Sequence, residues 1–191
     1  MAIILASKSP RRKELLERIG LPFTVRTASH DETMDLFANP SDEVARVSLL
    51  KAKAVQPKCK PDDIIISADT IVVCDRLVMG KPRSEADAFS MLRRLSGRDH
   101  QVMTGLSVLC GKVTESVTVT TNIRFRHLAD DEIRAYIKTG EPMDKAGAYA
   151  IQGYAAMFVV GLDGDYYNVM GLPVCTLTLM LRGLGVKLLG C

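Results

Sequence analysis

The chain has 191 residues, of which 47% are hydrophobic, so it is long enough to bury one substantial core. Its 25 basic and 22 acidic residues give a net charge of +3, which is too balanced for a protein that binds nucleic acid through bulk charge. The five cysteines are scattered and form no C-x-x-C pair, which argues against a zinc site or a disulfide framework. We expect a single domain over residues 1–191.

No apolar run approaches the roughly 18 residues of a membrane span. The apolar segment 1–6 is too short for the core of a signal peptide and lacks a preceding basic region. These observations predict a cytoplasmic protein without a membrane partner.

The N-terminal segment predicts a strand followed directly by a helix. Residues 3–6 are apolar, Ser9 is a good N-cap, and Pro10 suits the first helical position. Arg11 and Arg12 then fall in the first turn, where the helix macrodipole already presents positive potential. Arginine matches phosphate oxygens bidentately, so this turn is a candidate phosphate site. A solvated basic turn is the alternative.

The next elements follow from hydrophobic periodicity and breaker residues. In chain order the pattern predicts a strand over 23–27, a polar loop over 28–39, a helix over 40–56 and a buried strand over 64–66. We expect that last strand to stop at residues 67–70, which would place Asp69 at a strand end. A turn at residues 75–76 and a helix capped by Ser84 and ended by Gly97 follow.

The C-terminal half predicts hairpins and helices. The expected elements are strands over 102–109 and 113–125 around a turn, a short helix from residue 130 or 131 to 139, a hairpin pairing 158–162 with 166–169, and a last helix from Pro173. Strand 113–125 alternates apolar and polar residues, which predicts one buried face. This order of elements indicates an α/β fold around a mixed sheet.

Several charged residues lie near expected element ends, where α/β proteins build their sites. Asp69 could recruit a divalent metal, or it could simply turn the chain. Glu32 lies in an acidic loop that is ordinarily solvated, and Lys81 precedes a helix. Lys51 would be a surface cation unless a phosphate lies nearby.

Residues 140–153 combine glycines and small residues with one aromatic side chain and one amide. This composition lets backbone approach a ligand closely, and we expect an ordered loop rather than a flexible connection. Walker A, G-x-G-x-x-G, H-E-x-x-H and G-x-S-x-G patterns do not occur. The three isolated histidines indicate structural roles: His30, His100 and His127.

Five motifs together resemble one known family, the Maf-like nucleotide pyrophosphatases, once described as septum-formation proteins. In order, they occupy residues 6–12, 67–70, 81–83, 95–97 and 144–153. The resemblance implies a curved mixed sheet flanked by helices, two lobes with a deep cleft, and a fold like that of the Ham-type inosine triphosphate pyrophosphatases. It also implies hydrolysis of a nucleoside triphosphate to the monophosphate and pyrophosphate with Mg²⁺ or Mn²⁺.

The resemblance also carries the family's site onto this sequence. It implies catalytic roles for Arg12, Lys51, Asp69 and Lys81, substrate binding by Ser7, Arg11, Thr70 and Gln152, and metal binding by Glu32 and Asp69.

The family's branches differ at three of these positions. The 7-methyl-GTP branch typically has an aromatic residue, Gln and Glu where this chain has Arg11, Thr70 and Gln152, so the chain is similar to the dTTP and UTP branch. Uracil and thymine present the O4 acceptor beside the N3–H donor, and a Gln amide can satisfy both. Ala150, where the family often has Gly, departs from the pattern.

We therefore expect a dTTP/UTP pyrophosphatase that removes surplus or noncanonical pyrimidine triphosphates, with a link to cell-division arrest and a homodimer left open. A nucleotide-sensing regulator of septum formation without turnover is one alternative, and a 7-methyl-GTP-type pyrophosphatase is another. A single-strand nucleic-acid binder is disfavoured, because five Phe, five Tyr and no Trp offer few stacking platforms.

Overall fold

A computed structural model describes residues 1–29, 33–35 and 37–189 of the chain. Its strands are β1 (Ile3–Leu5), β2 (Thr24–Val25), β3 (Ile64–Cys74), β4 (Leu77–Met79), β5 (Asp99–Cys110), β6 (Val113–Phe125) and β7 (Val159–Asp163). Its helices are α1 (Pro10–Arg18), α2 (Pro40–Val55), α3 (Glu85–Leu95), α4 (Asp130–Lys138), α5 (Tyr166–Met170) and α6 (Val174–Gly183). No helix in these described ranges is both long and apolar enough to cross a bilayer.

The strands form one mixed sheet in the order β2-β1-β3-β5-β6-β7, and β4 pairs with β3 outside this path. Strand β1 is parallel to both β2 and β3, with Ile4 opposite Thr24 and Ile65. Strand β4 is antiparallel to β3, and β7 is antiparallel to β6. The α/β class with a mixed sheet flanked by helices, expected from the sequence, is confirmed.

Strand β3 corrects one expectation, because it does not stop after residue 66. It continues to Cys74, so Asp69 lies inside the strand rather than at its end. A buried strand accepts polar side chains when they have partners. Ser67 donates to the carbonyl of Ser48, and Asp69 pairs with Lys51.

The expected hairpin of 158–162 with 166–169 is also wrong. Strand β7 pairs with β6, and residues 166–170 form α5 instead. The carboxylate of Asp165 accepts hydrogen bonds from the backbone N–H groups of Tyr167 and Asn168, at 2.7 and 3.2 Å. This side chain satisfies donors of the first helical turn, which favours a helix at this point.

The expected burial of β6 holds for only part of the strand. Ile123 and Phe125 are buried, whereas Val113 and Val117 in the first half are exposed. Alternation therefore identified the strand correctly, and it overestimated how much of that strand faces the core.

The chain divides into two compact units. The first contains Met1–Asp69, Thr104–Val119 and Gly171–Cys191, and its core includes Ile4, Ile65 and Leu109. The second contains Thr70–Met103 and Thr120–Met170. Its core is built around edge-to-face aromatic contacts among Phe125, Tyr136, Tyr149 and Phe158.

Candidate active site

The start of α1 holds a buried arginine. The Arg12 side chain donates from Nε to the carbonyl of Gly171 at 2.7 Å and from Nη1 to Ser7 Oγ at 3.1 Å. Only 9% of Arg12 is exposed, which contradicts a fully solvated basic turn, and Arg11 beside it is half-buried. Ser9 occupies the N-cap position as expected, but its side chain makes no capping bond.

Ser7 is the centre of this arrangement. Its Oγ accepts from Arg12 Nη1 and, at 3.2 Å, from the backbone N–H of Ser9. These bonds fix a guanidinium at the N-terminus of a helix, where the macrodipole presents positive potential. Such a combination of fixed cation and helix N-terminus favours an anion, in particular a phosphate.

A second pair lies between α2 and β3 in the same unit. Lys51 Nζ donates to Asp69 Oδ1 at 2.6 Å, and the two side chains are 11% and 18% exposed. Lys51 is therefore not the solvated surface cation that its position in the sequence favours by default. A carboxylate offers about four lone-pair sites, so Asp69 keeps acceptor capacity beyond this bond.

The metal site expected at Glu32 and Asp69 can be tested only at Asp69, because Glu32 lies outside the described residues. Within the described part, His, Cys, Asp and Glu form no cluster of three or more that could enclose an ion. Mg²⁺ often binds through one or two carboxylates plus substrate phosphates. The accessible carboxylate of Asp69 fits that type of site.

The second unit contains Thr70, Lys81 and Gln152. Thr70 is half-buried inside β3, whereas Lys81 and Gln152 are exposed and bond to no described residue. The carbonyl of Gly80, next to Lys81, accepts from the N–H of Gly147 at 3.0 Å. The segment before α3 is thus attached directly to the loop that carries Gln152.

That loop is ordered, as its composition predicts, and hydrogen bonds hold it on both sides of Gln152. The Tyr136 hydroxyl donates to Glu141 Oε1 at 2.8 Å and accepts from the N–H of Ala150 at 3.2 Å. Glu141 Oε2 accepts from the N–H of Tyr154 at 3.2 Å. Because these anchors flank the exposed amide of Gln152, the backbone that presents it is fixed.

Two glycines allow the loop to pack this closely. A Cβ on Gly147 would lie 2.7 Å from a methyl group of Val72, and Gly147 has a φ of +66°. A Cβ on Gly153 would lie 2.1 Å from Glu141 Oε2. A side chain at residue 147 would meet Val72 and would also strain the backbone, whereas one at residue 153 would displace the Glu141 carboxylate that anchors the loop.

Three buried groups beneath this loop, Tyr136, Tyr149 and His100, are neutral at physiological pH. Burial, with the Glu141 carboxylate as a smaller cause, raises the pKa of Tyr136 well above its ordinary value, and burial also raises the pKa of Tyr149. Burial lowers the pKa of His100 to about 4. His100 Nε2 lies 2.9 Å from the Tyr149 hydroxyl in the aromatic core, so this histidine is structural.

The geometry joins Ser7 to Arg12 and Lys51 to Asp69 within the first unit. The sequence did not identify the groups that connect α2 to β3 beside Lys51 and Asp69, nor those that anchor the loop carrying Gln152. Ser67 and Ser48 belong to the first unit, and Tyr136 and Glu141 to the second. A small hydroxyl inside an apolar strand, as at Ser67, was the available signal.

The Maf-like protein family matches residues 2–184 of the chain. The dTTP/UTP pyrophosphatase of Moorella thermoacetica is 47% identical over 190 residues, which cover 98% of this chain and 97% of that protein. The protein of the same name from Symbiobacterium thermophilum is 48% identical over 183 residues, covering 96% of this chain and 94% of that one.

A solved structure, that of the Staphylococcus aureus Ham1 protein, matches with a TM-score of 0.52 and 14% identity, covering 96% of this chain and 99% of that one. This likeness concerns the fold alone, and it confirms the Ham-type architecture expected from the sequence. The match to the family over residues 2–184, together with relatives of nearly half-identical sequence, shows that the chain belongs to the Maf-like protein family.

Proposed function

We propose that this protein is a nucleoside triphosphate pyrophosphatase that hydrolyses dTTP and UTP to the monophosphate and pyrophosphate. The observation that carries the proposal is similarity to dTTP/UTP pyrophosphatases over nearly the whole chain, at 47% and 48% identity. The buried Arg12 and the Lys51–Asp69 pair support it, because both fit a polyphosphate substrate.

In the first unit, Arg12 binds phosphate oxygens of the substrate. Its position is set by Gly171 and Ser7, so little side-chain entropy is lost on binding. Arg11 in the same helical turn adds a second guanidinium, and Ser7 contributes its hydroxyl. Lys51 neutralises charge that develops on the polyphosphate, as fixed cations do in phosphoryl-transfer enzymes.

Asp69 holds and orients the attacking water and accepts its proton. Its contact with Lys51, at 2.6 Å, fixes the orientation of the carboxylate for this task. A divalent metal, Mg²⁺ or Mn²⁺, would be held by Asp69 and, in our proposal, by Glu32. When bound, that metal would lower the pKa of the attacking water and screen the negative charge of the phosphates.

In the second unit, Lys81 binds the phosphate chain and Gln152 recognises the base. The Gln152 side-chain amide donates to O4 and accepts from N3–H of uracil or thymine, a pairing that a carboxylate could not complete. Its flanking anchors at Tyr136 and Glu141 hold the loop in place. Thr70 shapes the pocket for a pyrimidine.

The substrate belongs to the nucleotide pool, so we propose a cytoplasmic enzyme that limits surplus and noncanonical pyrimidine triphosphates. Its partner is the free nucleotide rather than nucleic acid or membrane. A homodimer and a link to cell-division arrest stay predictions.

The test is pyrophosphate release from the purified protein, measured across canonical and modified nucleoside triphosphates with Mg²⁺ and with Mn²⁺. We expect dTTP and UTP to give the highest kcat/KM and to yield monophosphate and pyrophosphate in equal amounts. Nucleotide binding without turnover would instead support the sensing regulator, and preference for 7-methyl-GTP would support the other branch.

A further inference from the structure

Two hydrogen bonds of the same length connect β3 to α2. The Ser67 hydroxyl donates to the backbone carbonyl of Ser48 at 2.6 Å, and Lys51 Nζ donates to Asp69 Oδ1 at 2.6 Å. Ser67 and Asp69 are two residues apart, so they share one face of the strand. Ser48 and Lys51 are three residues apart and share one face of the helix. The strand thus contacts the helix at two successive points.

The Ser67 contact belongs to a stripe of carbonyls on α2 that accept hydroxyl donors. Thr118 donates to the carbonyl of Ser41 at 2.7 Å. Ser67 donates to the carbonyl of Ser48, about two helical turns further along α2. Between them, a Cβ on Gly105 would lie 2.2 Å from the carbonyl oxygen of Val44. The helix therefore packs on the sheet at backbone distance and is located by directional bonds rather than by apolar side chains alone.

Burial makes the Ser67 bond specific. Ser67 and Ser48 are both fully buried, and the Ser48 hydroxyl in turn lies 2.5 Å from that of Ser107, also fully buried. A buried hydroxyl that loses its acceptor costs free energy, so displacement of α2 along its axis would be penalised. Apolar contacts, which have no direction, would not impose this restriction.

We propose that Ser67 is a positioning residue, whose bond to Ser48 sets the place of α2 so that Lys51 meets Asp69. This inference rests on the proposed function for its effect on activity, whereas its geometric part stands independently. Without the Ser67 hydroxyl, α2 loses its hydrogen bond to β3 at Ser48, about one helical turn before Lys51. The distance from Lys51 to Asp69 then widens, and the ammonium loses its place at the reacting phosphate.

The first test compares kcat and KM for dTTP in Ser67→Ala with those of Thr118→Val. Thr118→Val also removes one hydroxyl donor to α2, but its acceptor, Ser41, lies about 15 Å along the helix from Lys51. We expect Ser67→Ala to lower kcat about tenfold with a smaller change in KM, and Thr118→Val to stay within about twofold. Equal losses in the two variants would overturn the proposal.

The second test asks whether Ser67 acts through Lys51. In a Lys51→Met background, Ser67→Ala should cause no further loss of kcat, because the group that it positions is gone. A full additional tenfold loss would contradict the proposal. Should Ser67→Ala fail to fold, Ser67→Cys retains the size with a weaker donor and is expected to give an intermediate kcat.

A crystal structure of Ser67→Ala separates this inference from the proposed function. We expect the distance from Lys51 Nζ to Asp69 Oδ1 to exceed about 3.5 Å, beyond hydrogen-bond range. An unchanged distance would refute the positioning role, whatever the activity. Full dTTP turnover by Lys51→Met would refute the catalytic role of Lys51 and leave the geometric result to decide the role of Ser67.

Discussion

Lys51 Nζ and Asp69 Oδ1 lie 2.6 Å apart, with 11% and 18% of the two side chains exposed. Partly removed from water, the two charges interact more strongly than an exposed ion pair would. Because the carboxylate lies within β3 and the ammonium on α2, the pair also joins two elements of the first unit. A variant of either residue therefore affects both charge and attachment.

We expect Asp69→Asn to lower kcat at least about a hundredfold, because the amide keeps the size of the side chain but neither deprotonates water nor binds a metal well. Its Oδ1 can still accept from Lys51, so the variant should fold with a modestly lower Tm. Pyrophosphate release and thermal unfolding of the purified variant measure the two effects.

Asp99→Asn is the matched control for Asp69→Asn. Asp99 pairs with Arg124 on the surface, where the two side chains are 64% and 66% exposed, so we expect nearly unchanged turnover and stability. A near wild-type rate in Asp69→Asn would show that Asp69 has no catalytic role.

Lys81→Ala should weaken the use of every triphosphate, since a phosphate contact does not distinguish bases. Lys81 is exposed, so stability should not change, and the lost charge-assisted contact should cost about 1.5 to 3 kcal/mol of transition-state stabilisation. The measurement is kcat/KM for dTTP and for a purine triphosphate.

Lys112→Ala, another exposed lysine, controls for net charge and should leave kcat/KM unchanged. Arg12→Ala should produce a comparable loss for all bases, together with lower stability because Arg12 also donates to Gly171 and Ser7. If both Lys81→Ala and Arg12→Ala retained full kcat/KM, the proposed phosphate contacts would be wrong.

Local patterns in the sequence predicted local structure well. The turn at Asp75 and Arg76 has both residues at positive φ, 51° and 65°, as a two-residue hairpin turn requires. Ser84 accepts from the N–H of Asp87 at 3.1 Å, as the capping pattern predicts. In both cases the deciding interaction spans four residues or fewer, and the sequence displays it directly.

Interactions over longer separations were not predictable in this way. The polar run that includes Ser67 and Asp69 resembles a strand end, and only partners 19 and 18 residues away show why the strand continues. Similarly, β7 pairs with β6, whose residues lie more than 30 positions earlier in the chain, and not with the segment that follows the adjacent turn. The sequence pattern shows that Ser67 and Asp69 are polar residues in an apolar segment, but it does not identify their partners.

His100 predicts a specific pH dependence of stability. Its pKa falls from the ordinary 6.5 to about 4 because of burial. Between these values the unfolded chain binds a proton that the native state does not, so the free energy of unfolding falls as pH falls from 6.5 to 4. The loss amounts to about 3 kcal/mol, and it is absent above pH 6.5.

Urea unfolding across this pH window should therefore show a flatter profile in His100→Gln, because glutamine does not titrate. His127→Gln is the control, since His127 is exposed rather than buried. A wild-type slope retained in His100→Gln would mean that His100 is not the group responsible for the pH dependence.

Gln152→Glu tests base recognition rather than phosphate binding. The substitution removes the donor to O4 of uracil or thymine and places a carboxylate against that acceptor. We expect the ratio of kcat/KM for dTTP to that for a purine triphosphate to fall about tenfold or more. Gln152 is exposed and bonds to no described residue, so Tm should not change. Activity on 7-methyl-GTP need not appear, because Arg11 and Thr70 are retained.

The control for Gln152→Glu is Gln101→Glu, which adds the same charge at another exposed position of the second unit and should leave the dTTP ratio unchanged. Inorganic tripolyphosphate, which has no base, is the second reference substrate. An equal loss on dTTP, the purine triphosphate and tripolyphosphate would mean that residue 152 acts on the phosphates or on the loop held by Tyr136 and Glu141. Base recognition would then have to come from other residues of the pocket.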